Sequence, residues 1–130
     1  MAPSYLKIYL EQNVNWDKSI KLTLNDKIIG CWLFGDEQIT NYDNEKMIED
    51  LSKYKNKQGI EGVAFLIKNE YRNKGYAKKL LTYINNLKKD YDYIWGQHLN
   101  SLKIKDFWIK NGRRVVAEYP NLFLTLMDFK

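Results

Sequence analysis

Residues 60–67, Ile60-Glu61-Gly62-Val63-Ala64-Phe65-Leu66-Ile67, are almost continuously apolar, and together with the segment C-terminal to them they restrict the fold more than any other part of the chain. A short run of this kind is a strand covered on both faces. It passes through the polar stretch 69–75 into Tyr76, Ala77, Leu80, Leu81, Ile84 and Leu87, which recur on one helical stripe. Lys78, Lys79, Lys88 and Lys89 fall largely outside that stripe, so the spacing predicts a helix over 74–89. A buried central strand feeding an amphipathic helix belongs to a layered protein, with helices packed on a sheet.

The remaining periodicity fills in that sheet. Residues 4–10 and 19–24 alternate as strands, and Asn25-Asp26-Lys27 offers a tight turn into the apolar run 27–34, which predicts a hairpin. Met47, Ile48, Leu51 and Tyr54 lie at helical spacing, with Asp43 or Asn44 placed to cap the N-terminus, which predicts a short helix over 44–54. A strand over 91–97, a helix over 101–110 stopped by Asn111-Gly112, and a β pair over 113–119 and 121–127 complete the chain. The expected class is α+β, three-layered: a mixed, mostly antiparallel sheet of six or seven strands with helices packed on it.

Size and composition narrow the function classes. With 130 residues, a single domain over 1–130 is the expectation. No apolar run approaches the ~20 residues that span a bilayer, and Met1-Ala-Pro-Ser-Tyr-Leu lacks the layout of a signal peptide, so no membrane association and a cytoplasmic location are expected. Cys31 is the only cysteine, which rules out an internal disulfide and a cysteine-based metal site; no metal is expected. A net charge of +5 with ten tyrosines could serve a nucleic acid, but the lysines are scattered and no basic stripe forms, which disfavours that reading.

The chemistry concentrates where the central strand gives way to the helix. The first amides of a helix lack intrahelical acceptors and lie at the positive end of its dipole, so Arg72 to Ala77 can present several N–H donors to a phosphate. Gly75 leaves room for close approach, Ala77 keeps the first turn slim, and Arg72 and Lys74 add positive charge. The bland alternative is that Gly75 only eases a strand-to-helix turn.

Arg72-Asn73-Lys74-Gly75-Tyr76-Ala77 resembles the Arg/Gln-x-x-Gly-x-Gly/Ala signature of the GNAT superfamily of N-acetyltransferases, and it lies, as in that family, between the fourth strand and the third helix. Phe107-Trp108-Ile109-Lys110-Asn111-Gly112-Arg113 is similar to the family's later Phe-Tyr-x-x-x-Gly-Phe segment, and the likeness spans about residues 19–34 and 59–130. The resemblance implies a GNAT-like fold whose fourth and fifth strands splay apart around acetyl-CoA or a related acyl-CoA. It implies that the amides of Arg72, Asn73, Lys74, Gly75, Tyr76 and Ala77 hold the pyrophosphate, that the backbone of Phe65, Leu66 and Ile67 meets the pantetheine, and that Ser101 and Trp108 line the opposite wall. The implied activity is direct transfer of an acetyl group to an amine: a protein lysine or N-terminus, or a small polyamine-like molecule.

Such a transfer needs a base to free the attacking amine. Glu61 is the candidate, eleven residues before Arg72 as in the histone-acetylating members, and a carboxylate on an apolar strand is drawn out of water. An exposed strand end is its bland reading. His98 is a second candidate because an ordinary imidazole titrates near neutrality, although a lone histidine is more often structural. Two departures from the family stand out. Trp108 occupies the position of the tyrosine that protonates the leaving thiolate, and residues 11–18 are too few for the two helices usual after the first strand. The insert 36–58, with Asp36, Glu37, Asp43, Glu45, Glu49 and Asp50, could replace that acceptor wall. Trp108 keeps open a second reading, a non-catalytic CoA-binding or interaction protein on the same fold. The sequence leaves monomer and dimer open.

Overall fold

The computed structural model describes residues 13–42 and 47–129. The expected strand over 4–10, the capping candidates Asp43 and Asn44, and the acidic Glu45 lie outside the described residues. Six strands, β1 (Ile20–Leu24), β2 (Lys27–Gly35), β3 (Gly59–Ile67), β4 (Tyr93–Leu99), β5 (Arg114–Glu118) and β6 (Leu122–Asp128), form one sheet in the order β1-β2-β3-β4-β6-β5. β3 and β4 run parallel, whereas β1/β2, β4/β6 and β5/β6 are antiparallel, the mixed sheet expected of this sequence. Leu24 faces Lys27 across the two-residue turn Asn25-Asp26, both left-handed at φ 51° and 66°, the conformation that matches the twist of a tight hairpin.

The helices are shorter than the periodicity predicts. In place of one helix over 74–89 there are α1 (Tyr76–Leu81) and α2 (Ile84–Leu87), separated at Thr82 and Tyr83. There the amides bond three residues back, Thr82 to Lys79 and Tyr83 to Leu80, and the Thr82 hydroxyl also donates to the Lys79 carbonyl at 2.6 Å. A threonine hydroxyl competing for a backbone carbonyl tightens the helix toward 3-10 winding. The expected helix over 101–110 is reduced to α3 (Lys105–Lys110), because Lys103 adopts φ 52° and isolates a 3-10 turn over Asn100–Leu102. Its end is as expected: Gly112 at φ 98° lets Arg113 N bond Trp108 O and Gly112 N bond Ile109 O, a Schellman closure.

The helix expected over 44–54 is not formed by the described residues of that span. Met47 makes a β-bridge to Ala117, Ile48 N donates to Val116 O and is 63% exposed at its side chain, and only Ser52–Asn56 winds as a 3-10 turn. The backbone donors and acceptors of an edge strand outcompete a short amphipathic helix whose own bonds are marginal.

The chain forms two compact units. One comprises the described residues up to Asp36 together with Gly62–Asp90; the other comprises Glu37–Glu61 and the residues from Tyr91 onward. In the first, Trp32 packs against Phe34 and edge-on against Phe65, at 4.9 and 5.1 Å between ring centroids, and Phe34 stacks on Tyr83. A Cβ at Gly30 would lie 2.7 Å from Leu66 O, so β2 approaches β3 closely only because residue 30 is glycine. In the second, Ile39, Leu51, Tyr54, Tyr93, Trp95, Val116, Ala117, Leu124 and Leu126 form the core. Beside it Arg114 holds Glu49 in a bidentate pair at 2.7 and 3.1 Å, while also donating to Asp128 and to the Tyr54 hydroxyl, which itself donates to Asp128. Burial and Asp128 push the Tyr54 phenol up to about 12, so this knot keeps its proton throughout the neutral range.

Candidate functional site

The loop from β3 to α1 is built by two left-handed residues. Asn73 takes φ 61° and Gly75 φ 88°, and Gly75 occupies the N-cap position of α1. Upstream, Arg72 N bonds Asn69 O, and Arg72 Nε donates to Ile67 O at 2.9 Å, tying the loop to the end of β3. Downstream, the first amide to find a backbone acceptor is that of Lys79, which bonds Gly75 O. Among the described residues, the amides of Asn73 and of Gly75 through Lys78 form no hydrogen bond to a protein acceptor. A Cβ placed at Gly75 meets nothing within 4 Å. Successive free N–H groups around left-handed turns are the kind of backbone arrangement that accepts an anion. Arg72, Asn73, Lys74 and Gly75 are exposed, Tyr76 and Ala77 half-buried.

On β3, Phe65 is half-buried, Leu66 is 53% exposed, and Ile67 is buried with its carbonyl already accepting from Arg72. The β3–β4 ladder comprises three pairs, Gly59↔Tyr93, Ile60↔Ile94 and Glu61↔Trp95.

Glu61 is only 1% exposed, so the solvent-facing strand end is not its environment. Gln97 Nε2 donates to its Oε2 at 3.4 Å and also donates to the Tyr42 hydroxyl. Tyr42 is held by its ring, edge-on to Trp95 at 5.1 Å, and Trp95 Nε1 donates to Glu37 O at 2.8 Å. Gln38 completes this segment by exchanging two hydrogen bonds with the backbone of Gly59, the way a neighbouring strand would.

His98 is 7% exposed and packs between Trp108 and Phe123, with ring centroids at 5.2 and 5.0 Å. Its Nε2 hydrogen-bonds Thr125 Oγ1 at 2.7 Å, and Arg113 Nη1 reaches the same hydroxyl at 3.2 Å. Burial, with Arg113 adding to it, pushes the imidazole down to about 3. A ring held neutral in this way has no proton to give at pH 7 and takes one up poorly, which argues against the acid–base role considered for it. Trp108 is buried too, with the Arg113 guanidinium 4.0 Å from its ring, whereas Ser101 is exposed on the turn before α3. The unfolded chain binds a proton on His98 near pH 6.5 that the folded ring refuses until about pH 3, so stability rises with pH across that interval. The contribution is complete above pH 6.5 and is lost as pH falls toward 3; at ~1.4 kcal/mol per unit it amounts to a few kcal/mol. His98→Phe is therefore expected to flatten the fall in urea stability below pH 6.5, and curves parallel to the parent's would refute the assignment.

Among the described residues of the insert, each acidic side chain has a partner within the protein. Asp36 binds Asn15 and Lys18, Glu37 accepts from Asn41, Asp50 accepts from Ser52 N, and Glu49 is paired with Arg114. Gln97, Tyr42 and Arg113 escape sequence reasoning; the one available signal is a glutamine inside the otherwise apolar run Tyr93-Ile94-Trp95-Gly96-Gln97.

Solved structures resemble this fold over nearly its whole length. A GNAT family acetyltransferase of Elizabethkingia anophelis, solved with acetyl-CoA bound, aligns with a TM-score of 0.65 at 17% identity over 98% of this chain and 83% of its own. The PaiA N-acetyltransferase of Thermoplasma acidophilum, in complex with coenzyme A, aligns at 0.61 and 16% identity over 95% and 67%. PH1933 of Pyrococcus horikoshii aligns at 0.69 and 18% identity over 95% and 71%. By sequence, neither a protein-family model nor a curated protein matches the chain. The chain has the fold of the GNAT acetyltransferases. No helix among the described residues is long and apolar enough to cross a membrane.

Proposed function

We propose that this protein binds acetyl-CoA, or a closely related acyl-CoA, and transfers the acyl group directly to an amine. The observation that carries the reading is the set of acceptor-free amides, Asn73 and Gly75 to Lys78, around a glycine facing open space. Those donors suit a diphosphate, whose oxygens accept and never donate, and Lys74 and Arg72 supply the matching charge. The Elizabethkingia and Thermoplasma proteins bind acetyl-CoA and coenzyme A on this fold. Pantetheine then runs along β3 beside Phe65, Leu66 and Ile67.

Glu61 takes the ammonium proton so that the neutral amine attacks the thioester carbonyl; the C–S bond then breaks, and CoA leaves as its thiolate and takes its proton from solvent. At 1% exposure its carboxylate reaches an amine through an intervening water rather than by direct contact. The acceptor is a protein lysine or N-terminus, or a small polyamine-like molecule.

A second reading, a CoA-binding protein without catalysis, is favoured by Trp108. An indole buried beneath Arg113 cannot protonate a departing thiolate. Incubation of a panel of amines with acetyl-CoA, followed by free-thiol measurement, separates the two. Amine-dependent thiol release is the expected result; tight binding without release selects the second reading, and no binding removes both.

A further inference from the structure

We infer that Gln97, with Tyr42 behind it, is a positioning residue for the Glu61 carboxylate. The inference rests on the reading of Glu61 as the base, and its test is chosen to stand apart from acyl transfer.

A buried carboxylate acts as a base only if its oxygens are held in one orientation, since a rotating carboxyl offers its lone pair to the acceptor for a fraction of the time. Glu61 sits on β3 opposite Trp95, and Gln97 is two residues further along β4, on the face that Trp95 shares. One amide nitrogen carries two hydrogens, and both are committed: one to Glu61 Oε2 at 3.4 Å, the other to the Tyr42 hydroxyl oxygen. An ionised carboxylate accepts and cannot donate, so it selects the amide orientation that turns Nε2, not the carbonyl oxygen, toward it. The Tyr42 oxygen then fixes the amide from the far side. Tyr42 is in turn anchored by its contact with Trp95, and Trp95 is anchored by its bond to Glu37 O. The segment 37–42 therefore reaches Glu61 through an amide relay, and Tyr42 is the titratable side chain at its end. A glutamine amide does not pass protons at neutral pH, so this chain orients the base and does not discharge it.

The charged form of Glu61 accepts from Gln97 more strongly than the protonated form does, so losing the donor makes the carboxylate easier to protonate. The carboxyl 13C shift of Glu61, assigned by its loss in Glu61→Gln, reads this directly in the free protein without acyl-CoA or acceptor. Gln97→Leu is expected to raise the Glu61 midpoint by about one pH unit. Tyr42→Phe, nearly isosteric, is expected to shift it in the same direction by less, and it supplies the readout should the leucine variant fail to fold. In turnover, the acidic limb of kcat/KM moves with the midpoint while the affinity for acetyl-CoA stays constant. A Glu61 midpoint unmoved in both variants overturns the assignment, even if the protein proves an active acetyltransferase. A moved midpoint with no detectable transfer sustains the positioning and removes the catalytic reading instead.

Discussion

Gly75→Asp is expected to lower acetyl-CoA affinity at least about 100-fold, or about 2.8 kcal/mol, by calorimetry, with the near-ultraviolet circular dichroism of the fold retained. The two halves of that expectation have separate physical causes. The new side chain has room to start, because a Cβ at this position meets no heavy atom within 4 Å beyond the adjoining residues. Its intrinsic cost is the left-handed backbone at φ 88°, about 1–2 kcal/mol for an ordinary L residue and less for aspartate, whose short polar side chain tolerates that region. The fold therefore survives. The ligand does not fare as well, since a carboxylate at the N-cap of α1, beside the free amides of the first turn, would oppose the charge of a diphosphate held there. Gly75→Asn carries the same bulk and nearly the same backbone cost without the charge, so the difference between the two variants isolates the electrostatic part. Unchanged affinity in Gly75→Asp would refute the pyrophosphate-loop assignment.

That loop was legible because its determinants are local. The glycine of the turn and the helix that follows it arise from a few consecutive residues, although the left-handed Asn73 is not anticipated by them, and the strands β1 to β6 arise from alternation or from unbroken apolar runs in the same way. Elements whose fate depends on distant partners were misread. Met47, Ile48, Leu51 and Tyr54 have helical spacing, yet Met47 bridges to Ala117, seventy residues away in sequence, and no local signal announces that edge. The helix over 74–89 was right in its buried face but not in its continuity, because the Thr82 hydroxyl competes for the Lys79 carbonyl, a contest that periodicity does not register. His98 looked titratable in sequence because its type is; Phe123, Thr125 and Arg113, which hold it neutral, come from later in the chain. The same holds for Gln97 and Tyr42, fifty-five residues apart, whose significance emerges only once Glu61 is seen beside them.

Glu61→Gln is expected to reduce kcat about 10²–10³-fold with little change in acetyl-CoA affinity. The substitution preserves volume inside a site that is 1% exposed, so cavity formation contributes nothing to the loss. An amide cannot accept a proton at neutral pH, so the attacking amine must shed its proton to solvent, and turnover should then rise with pH toward the amine's own pKa. The parent enzyme should instead lose activity only where the carboxylate is protonated, so the acidic limb belonging to Glu61 should be missing from the variant's profile. Because the glutamine still faces Gln97, its own carbonyl oxygen can accept from Gln97 Nε2 in place of the carboxylate oxygen. A kcat unaffected by Glu61→Gln, measured with an acceptor the parent turns over, would move the base elsewhere. It would also leave the buried carboxylate with a structural role, anchoring the segment 37–42 through Gln97.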